Sequence, residues 1–338
     1  MPLDLTVRVV GAGHAHPPYE MGSDQLASGV PGLEIGWAQK RLGLNSRRVA
    51  LQHEHMSQFG VAAVASALDQ AGWEPEHLDG IVCGTSFVDD LLPATASLIG
   101  RDINPTAIAF DVNAACASGP YSLVMANALL ATDPSLARVA VCVVERPTAW
   151  ADYEDKESSV FWGDSAGCVL LERGGTAPGW QVEATALRND SAYAEKVRVR
   201  RGGTFRHDGR YSRQQVLDMS EACALDVFAQ VGIGPDDIDH LVCHQSNIPL
   251  LKDLSERLDI DFERQWHNVE WAGNQGGAGV VTAFVHGWRQ HRPALRAGDH
   301  VLLAASPGQD TLAAYSFAVV DQALRAHTPV ADGGGRRA

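Results

Sequence analysis

Residues 68–86 read LDQAGWEPEHLDGIVCGTS, and residues 228–246 read FAQVGIGPDDIDHLVCHQS. Aligned without a gap, they share Gln70/Gln230, Gly72/Gly232, Pro75/Pro235, Asp79/Asp239, Val82/Val242, Cys83/Cys243 and Ser86/Ser246. Each segment has the form of a helix ending at a C-cap glycine, then an acidic proline turn, then a short apolar run that enters a core as a strand. The separation of 160 residues is too long for a solenoid, whose repeats span a few tens of residues. The chain is therefore built from two similar halves. Gly84 aligns with His244, so one half carries a titratable group at a strand end where the other has no side chain. That asymmetry marks a candidate site.

The 338 residues, 45% apolar and 20% charged, suit a globular enzyme with one large core or two fused halves. No apolar run reaches the roughly 18 residues of a membrane span. The first residues, Met1-Pro-Leu-Asp, lack a basic region followed by an apolar one, so the expectation is a cytoplasmic protein. The six cysteines (83, 116, 142, 168, 223 and 243) form no C-x-x-C pair, and no metal site is expected. The net charge of −14 argues against nucleic acid or anionic membrane as partner. Residues 196–213 run against that balance with Lys196, Arg198, Arg200, Arg201, Arg206, Arg210 and Arg213. They read either as a solvated loop that offsets acidic neighbours or as a rim that contacts phosphate.

Short β-like runs at residues 5–10, 81–83, 107–112, 139–144 and 168–171 alternate with helical patterns at 55–70 and 118–131. The second half repeats this, with strands at 182–187, 241–243, 300–304 and 314–319 and helices at 213–231, 248–258 and 278–291. Such alternation predicts an α/β architecture with parallel strands. A turn-rich linker at 173–179 divides an N-terminal half, residues 1–173, from a C-terminal half, residues 174–330. The tail 331–338 has nothing to pack.

Cys116 stands apart from the other cysteines. It follows a strand through Asn113-Ala-Ala and opens a helix, where the positive end of the helix dipole favours a thiolate. Its small neighbours allow a ligand to approach; the same position also suits a merely buried thiol. His244 is the candidate imidazole partner. It is followed by Gln245 and Asn247, polar groups that are costly beside a buried strand unless hydrogen bonded. Asn274, ahead of the helix at 278–291, reads as a donor to a carbonyl oxygen or as an ordinary N-cap.

Together these segments resemble the β-ketoacyl-ACP synthase III family of the thiolase fold, to about residue 320. DVNAACASG (residues 111–119) resembles the family's nucleophile segment. FWGDSAG (161–167) is similar to its F-G-D-G-A-G, HQSN (244–247) to its H-Q-A-N, and Gly273-Asn274 to its G-N. The separations of 128 residues from Cys116 to His244 and 30 from there to Asn274 also suit the family. The resemblance implies two similar βα halves in a layered α-β-α-β-α arrangement, and a homodimer. It implies Cys116 as acyl-accepting nucleophile, with the backbone N–H groups of Cys116 and Gly308 holding the oxyanion, and His244 and Asn274 serving the acceptor step. It places coenzyme A against Trp37, Arg41 and Asn247, as a substrate thioester and not a permanent cofactor.

Three departures bear on the acceptor. Only Gly308 remains of the family's glycine-rich loop, in Ser306-Pro-Gly-Gln-Asp-Thr311. Gln275-Gly-Gly-Ala-Gly279 follows Asn274, which removes bulk and is expected to widen the acceptor side. Pro249 stands where relatives that dock acyl carrier protein have a basic residue, and residues 250–258 balance two acids with two bases, which disfavours an acidic carrier. From these the expected reaction is acyl transfer from acyl-CoA through Cys116 to a small-molecule hydroxyl, of the kind found in antibiotic and polyketide pathways. Decarboxylative condensation with a malonyl thioester is the alternative.

Overall fold

Both copies of the repeated segment tie to the sheet at corresponding positions. The computed structural model describes residues 6–174, 178–305 and 312–320. In its first half β1 (Val7–Ala15), β2 (Glu20–Gly22), α1 (Ser23–Ala27), α2 (Trp37–Leu42) and β3 (Ser46–Arg48) lead to α3 (Met56–Ala71) and β4 (Gly80–Gly84). Next come α4 (Thr95–Ile103), β5 (Ile108–Val112), α5 (Ser118–Thr132), β6 (Arg138–Glu145), α6 (Lys156–Ser159) and β7 (Ser165–Arg173). The second half opens with β8 (Gly179–Arg188), β9 (Val197–Val199), β10 (Phe205–His207), α7 (Gly209–Val231) and β11 (Ile238–Cys243). It closes with α8 (Ile248–Leu258), α9 (Val269–Ala272), α10 (Ala278–His291), β12 (His300–Ala305) and β13 (Leu312–Val320).

Three of the shared pairs have corresponding structural uses. Gly72 and Gly232 end α3 and α7 at φ of 68° and 81°, a left-handed conformation that strains any residue with a Cβ. Gln70 accepts the Ala12 N–H of β1 at 3.0 Å, and Gln230 donates to the Thr185 carbonyl of β8 at 3.1 Å. Asp79 accepts the Ala137 and Arg138 N–H groups where the chain enters β6, and Asp239 accepts that of His300 at the start of β12. The duplicated side chains thus tie a helix end and a strand entry to the sheet in both halves.

The strands form one sheet in the order β11-β12-β13-β8-β1-β7-β6-β4-β5. Four strands of each half correspond in sequence, β1-β7-β6-β4 matching β8-β13-β12-β11. The halves meet where β1 pairs β8 over two residues. The parallel pairing expected from the sequence occurs only in β4–β5, β4–β6 and β11–β12. The pairs β6–β7, β12–β13, β1–β7 and β13–β8 are antiparallel. Only six residues join β12 to β13, too few for a parallel crossover, and the segment between β6 and β7 carries only the short α6 and no helix of the length that crosses a sheet face. The fifth strand of the first half, β5, has for counterpart a single parallel bridge from Leu241 to Gln265.

Both faces of the sheet are covered, which is why its strands read as continuous apolar runs. Ala140 and Cys142 of β6 face α3, while Val139, Val141 and Val143 face the central layer. In β11, Leu241 and Cys243 face α7 and α8, and Val242 faces inward. The middle layer is α5 and α10, which pack on strands of both halves, with α3 and α7 outside. Trp180 meets Trp266, Phe284 and Trp288 edge to face there, each pair adding about 0.5–1.5 kcal/mol beyond its buried area. The 173–179 linker lies between β7 and β8; residues 175–177 and the tail 331–338 lie outside the described residues.

β1 approaches α3 so closely that a Cβ at Gly13 would lie 2.2 Å from the Ala63 carbonyl oxygen and 2.6 Å from the Ala67 nitrogen. Gly13→Ala should therefore destabilise the protein by about 1–3 kcal/mol, the range for overpacking. Chemical denaturation would show a lowered midpoint; an unchanged midpoint would contradict the packing.

Candidate active site

The C-terminal ends of β4, β5 and β11 and the N-termini of α5 and α10 open into one cleft of about 1470 Å³. Cys116, His244, Asn274, Trp37, Arg41 and Asn247 all line it. Residues far apart in sequence thus meet in one place. Gly308 lies outside the described residues.

Cys116 sits in a tight turn, residues 115–117, that leads into α5. Ala115, just before it, has φ of 47°, a left-handed conformation that costs an alanine about 1–2 kcal/mol. Ser118 Oγ accepts the Ala114 N–H at 2.9 Å and Asn113 Oδ1 accepts the Ala115 N–H at 3.2 Å, which hold the turn. The expectation of a depressed thiol pKa is corrected. Burial, with the carboxyl of Glu145 beside it, pushes the Cys116 thiol up to about 12, the opposite direction from the depression expected at a helix start.

His244 closes β11, its N–H on the Ala304 carbonyl at 2.9 Å. Only 5% of it is exposed, and burial lowers its pKa to about 4, so the imidazole is neutral near pH 7. Its Nδ1 is buried without a hydrogen-bond partner among the described residues. Asn274 is fixed by its backbone, which bonds Phe161 and Gly163 at 2.6 and 2.9 Å. Its Oδ1 accepts the Gly276 N–H at 3.0 Å, which turns the amide Nδ2 away from that bond. At Gly163 a Cβ would stand 1.9 Å from the Ala272 carbonyl oxygen; only glycine allows the 161–167 segment to reach Asn274. Asp164 holds that segment, accepting the Ala50 and Thr148 N–H groups and the Thr148 hydroxyl.

Four polar side chains behind the site bond one another. Gln245 accepts the Asn268 N–H and donates to the Cys243 carbonyl. Asn268 Nδ2 donates to Thr282 Oγ1, Thr282 donates to Gln275 Oε1, and Gln275 Nε2 donates to Asn268 Oδ1. This buried ring of bonds fixes His244's neighbour to Asn274's neighbour, and a complete network of this kind rigidifies what it supports. It also corrects the expectation of a widened acceptor side. The Gln275 side chain is fully buried in the network, and a Cβ at Gly277 would meet the Ala115 carbonyl oxygen at 3.0 Å. These small residues let α10 approach α5, and of the changed loop only Gly276 lines the cleft among the described residues. Asn247, besides lining the cleft, caps α8 through the Leu250 N–H.

Glu145 was not singled out by sequence reading, although a carboxylate closing the apolar run of β6 was a signal. It is 1% exposed, lines the cleft, and accepts the Ser86 N–H and hydroxyl at 3.0 and 2.9 Å. Its carboxyl also bonds the N–H groups of Phe87 and Gly277. Burial outweighs these bonds and raises its pKa to about 8. Among the described residues no group of three or more His, Cys, Asp or Glu side chains is placed to hold a metal.

Two models of one family match the chain: 3-oxoacyl-[acyl-carrier-protein] synthase III over residues 110–191, and its C-terminal domain over 228–318. The β-ketoacyl-[acyl-carrier-protein] synthase III of Agrobacterium fabrum is 30% identical over 311 residues, 89% of this chain and 95% of that protein. The chain belongs to the 3-oxoacyl-[acyl-carrier-protein] synthase III family. Its relative of the same name from Cereibacter sphaeroides is 28% identical over 316 residues, 90% of this chain and 97% of that protein. The crystal structure of the Aquifex aeolicus 3-oxoacyl-[acyl-carrier-protein] synthase III superposes with a TM-score of 0.86 at 25% identity, covering 92% of this chain and 99% of that one. The fold is thus the thiolase-like fold of these synthases, and the chain is an enzyme of the transferase class. Relatives along nine-tenths of the chain are named as synthases of β-ketoacyl chains, so the expectation of transfer to a small-molecule hydroxyl is corrected. No helix among the described residues is long and apolar enough to cross a membrane.

Glu145 provides a pH test. Its pKa is about 4.5 when unfolded and about 8 when folded, so the proton it retains stabilises the fold fully below pH 4.5. That contribution is lost as pH rises through about 8. Glu145→Gln keeps the bonds from Ser86 without the titration, so its melting temperature should gain on wild type across this window. Parallel melting curves from pH 4.5 to 8.5 would argue against a buried, protonated carboxyl.

Proposed function

We propose that this enzyme joins an acyl group, received from acyl-CoA on Cys116, to a malonyl unit carried by acyl carrier protein, in a decarboxylative Claisen condensation. The observation that carries this reading is the convergence of one thiol and two neutral hydrogen-bond donors, His244 and Asn274, on a single cleft. In the first half-reaction the Cys116 sulfur attacks the acyl-CoA thioester, coenzyme A leaves as its thiol with the cysteine proton, and the acyl group stays on sulfur. The negative oxygen formed on the way is held by backbone N–H groups, those of Cys116 and Gly308 by the family resemblance.

In the second half-reaction the malonyl thioester loses carbon dioxide, and the electron pair of the broken bond forms an enolate. Its carbon attacks the Cys116 thioester, a carbon–carbon bond forms, and the cysteine sulfur departs. A neutral imidazole and a carboxamide suit this step because both donate to the malonyl carbonyl as charge develops on its oxygen. An imidazolium would risk protonating the enolate, and burial keeps His244 from becoming one. Trp37 and Arg41 on α2 are assigned to the nucleotide end of coenzyme A. An intracellular, soluble setting accords with the substrates.

A second copy of the chain is the proposed partner at the open edge of the sheet. Among the described residues β5 pairs only β4, and Ile108, Met125, Leu91 and Leu92 are exposed there and on the adjoining segments. Unpaired strand edges and clustered apolar surface are stabilised by covering. Light scattering at micromolar concentration should give a mass near twice 36.2 kDa; a monomer alone would refute the pairing.

The half-reactions separate the residues. Cys116→Ala should carry no acyl adduct by intact mass. His244→Ala and Asn274→Ala should acylate yet lose condensation by about 10²–10³-fold, the loss typical for removal of one oxyanion donor. Release of carbon dioxide from malonyl-carrier protein at wild-type rates in both variants would remove them from the second step.

A further inference from the structure

The net charge of the chain is −14, yet its cleft is lined by Arg41, Lys156, Arg198, Arg200, Arg201 and Arg213, with Glu145 as the one carboxyl in the described lining. That carboxyl lies at the buried floor. Several of the basic residues 196–213 are neutralised at once. Arg198 and Arg206 stand opposite each other across β9 and β10, a like-charge pairing that costs stability unless offset. Glu195 pairs Arg198, while Asp152 and Asp155 pair Arg206. Arg213 is bound to Asp253 of α8, and Lys196 to Asp208. Arg200 and Arg201, at the turn of the hairpin, are exposed and have no acidic partner among the described residues.

The hairpin is seated as well as charged. Phe205 packs edge to face on Trp162, with ring centroids 4.8 Å apart, and on Phe161 at 6.1 Å. Ser158 Oγ donates to the Phe205 carbonyl at 3.1 Å. The turn itself closes through the Gly203 N–H on the Arg200 carbonyl, with Gly202 at φ of 73°. α8 offers no such field: Arg257 is spent on Asp218 and Glu221, and Lys252 lies over the Phe262 ring.

We infer that Arg200 and Arg201, at the tip of the β9–β10 hairpin, form the docking point for the acidic carrier protein that delivers the malonyl thioester. The inference rests on the condensation reading above and names where its protein partner binds. A carrier inserts only its thioester arm into the cleft, so its body stays at the mouth, where attraction must come from exposed cations. Two unpaired arginines on a held turn meet that need, and complementary charge acts chiefly on encounter and register.

The test is the double variant Arg200→Glu/Arg201→Glu in the full-length enzyme. Direct binding of malonyl-carrier protein, measured by interferometry at low salt, should weaken at least tenfold, and KM for it should rise by a similar factor with kcat little changed. Acylation of Cys116 by acyl-CoA, and turnover with malonyl-CoA as a carrier-free substrate, should stay within twofold of wild type. Unchanged carrier binding would overturn the proposal. An equal loss with acyl-CoA or malonyl-CoA would also overturn it, by showing that these arginines hold nucleotide phosphates. If wild type binds the carrier through the hairpin but releases no carbon dioxide from any malonyl thioester, docking stands and the condensation reading fails.

Discussion

The approach of α10 to α5 sets the distance on which the site depends. A Cβ at Gly119 would stand 2.8 Å from the Gly277 carbonyl oxygen, and one at Gly277 would stand 3.0 Å from that of Ala115. Two helix starts from different halves therefore touch through backbone, with no side chain between them. This contact brings the turn that holds Cys116 beside the segment that holds Asn274. It also leaves room for one carboxyl, Glu145, to bond the N–H of Gly277 and those of the loop after β4. A single methyl group at this junction would push apart the thiol and the amide, not merely loosen a core.

Polar burial follows from the same geometry. Helix starts and strand ends present unpaired backbone groups, and here they meet away from water. Gln245, Asn268, Gln275 and Thr282 satisfy one another in a closed set, while Asp164 satisfies the segment that supports Asn274. The groups left over face the cleft: a neutral imidazole, an amide and a thiol. Activity comes from what the scaffold leaves unsatisfied, and the buried network of Gln245, Asn268, Gln275 and Thr282 holds those groups in place.

Much of this was legible in the chain. The duplicated segment predicted two halves, and α8 and α10 lie where periodicity placed them, at Ile248–Leu258 and Ala278–His291. The candidate residues Cys116, His244, Asn274, Trp37, Arg41 and Asn247 share one cleft because each stands at an element end, where sequence signals are strong. What escaped reading is what depends on contacts between distant segments. Strand direction is decided by which strands the chain brings together across the sheet, so β7, β8 and β13 run against expectation. The acidity of Cys116 is set by burial and by Glu145, neither visible from its neighbours in sequence. Gln275 read as part of a wider pocket because no pattern tells a side chain that enters a buried network from one that lines a cavity. The acceptor was misjudged for the same reason, since the loop changes were weighed by local bulk alone.

The duplication also explains why the molecule has one reaction centre and not two. At Gly84, the first-half counterpart of His244, a Cβ would lie 2.7 Å from the Ser118 carbonyl oxygen and 2.8 Å from the Ser122 hydroxyl. α5 has closed over the strand end that α10 leaves open in the sister half. The two halves are alike in course but not interchangeable: the first has become the wall that supports its own nucleophile, and a histidine grafted there would have to displace a helix. Divergence between the copies is thus held in place by sterics, and neither half could regain the other's role by one substitution.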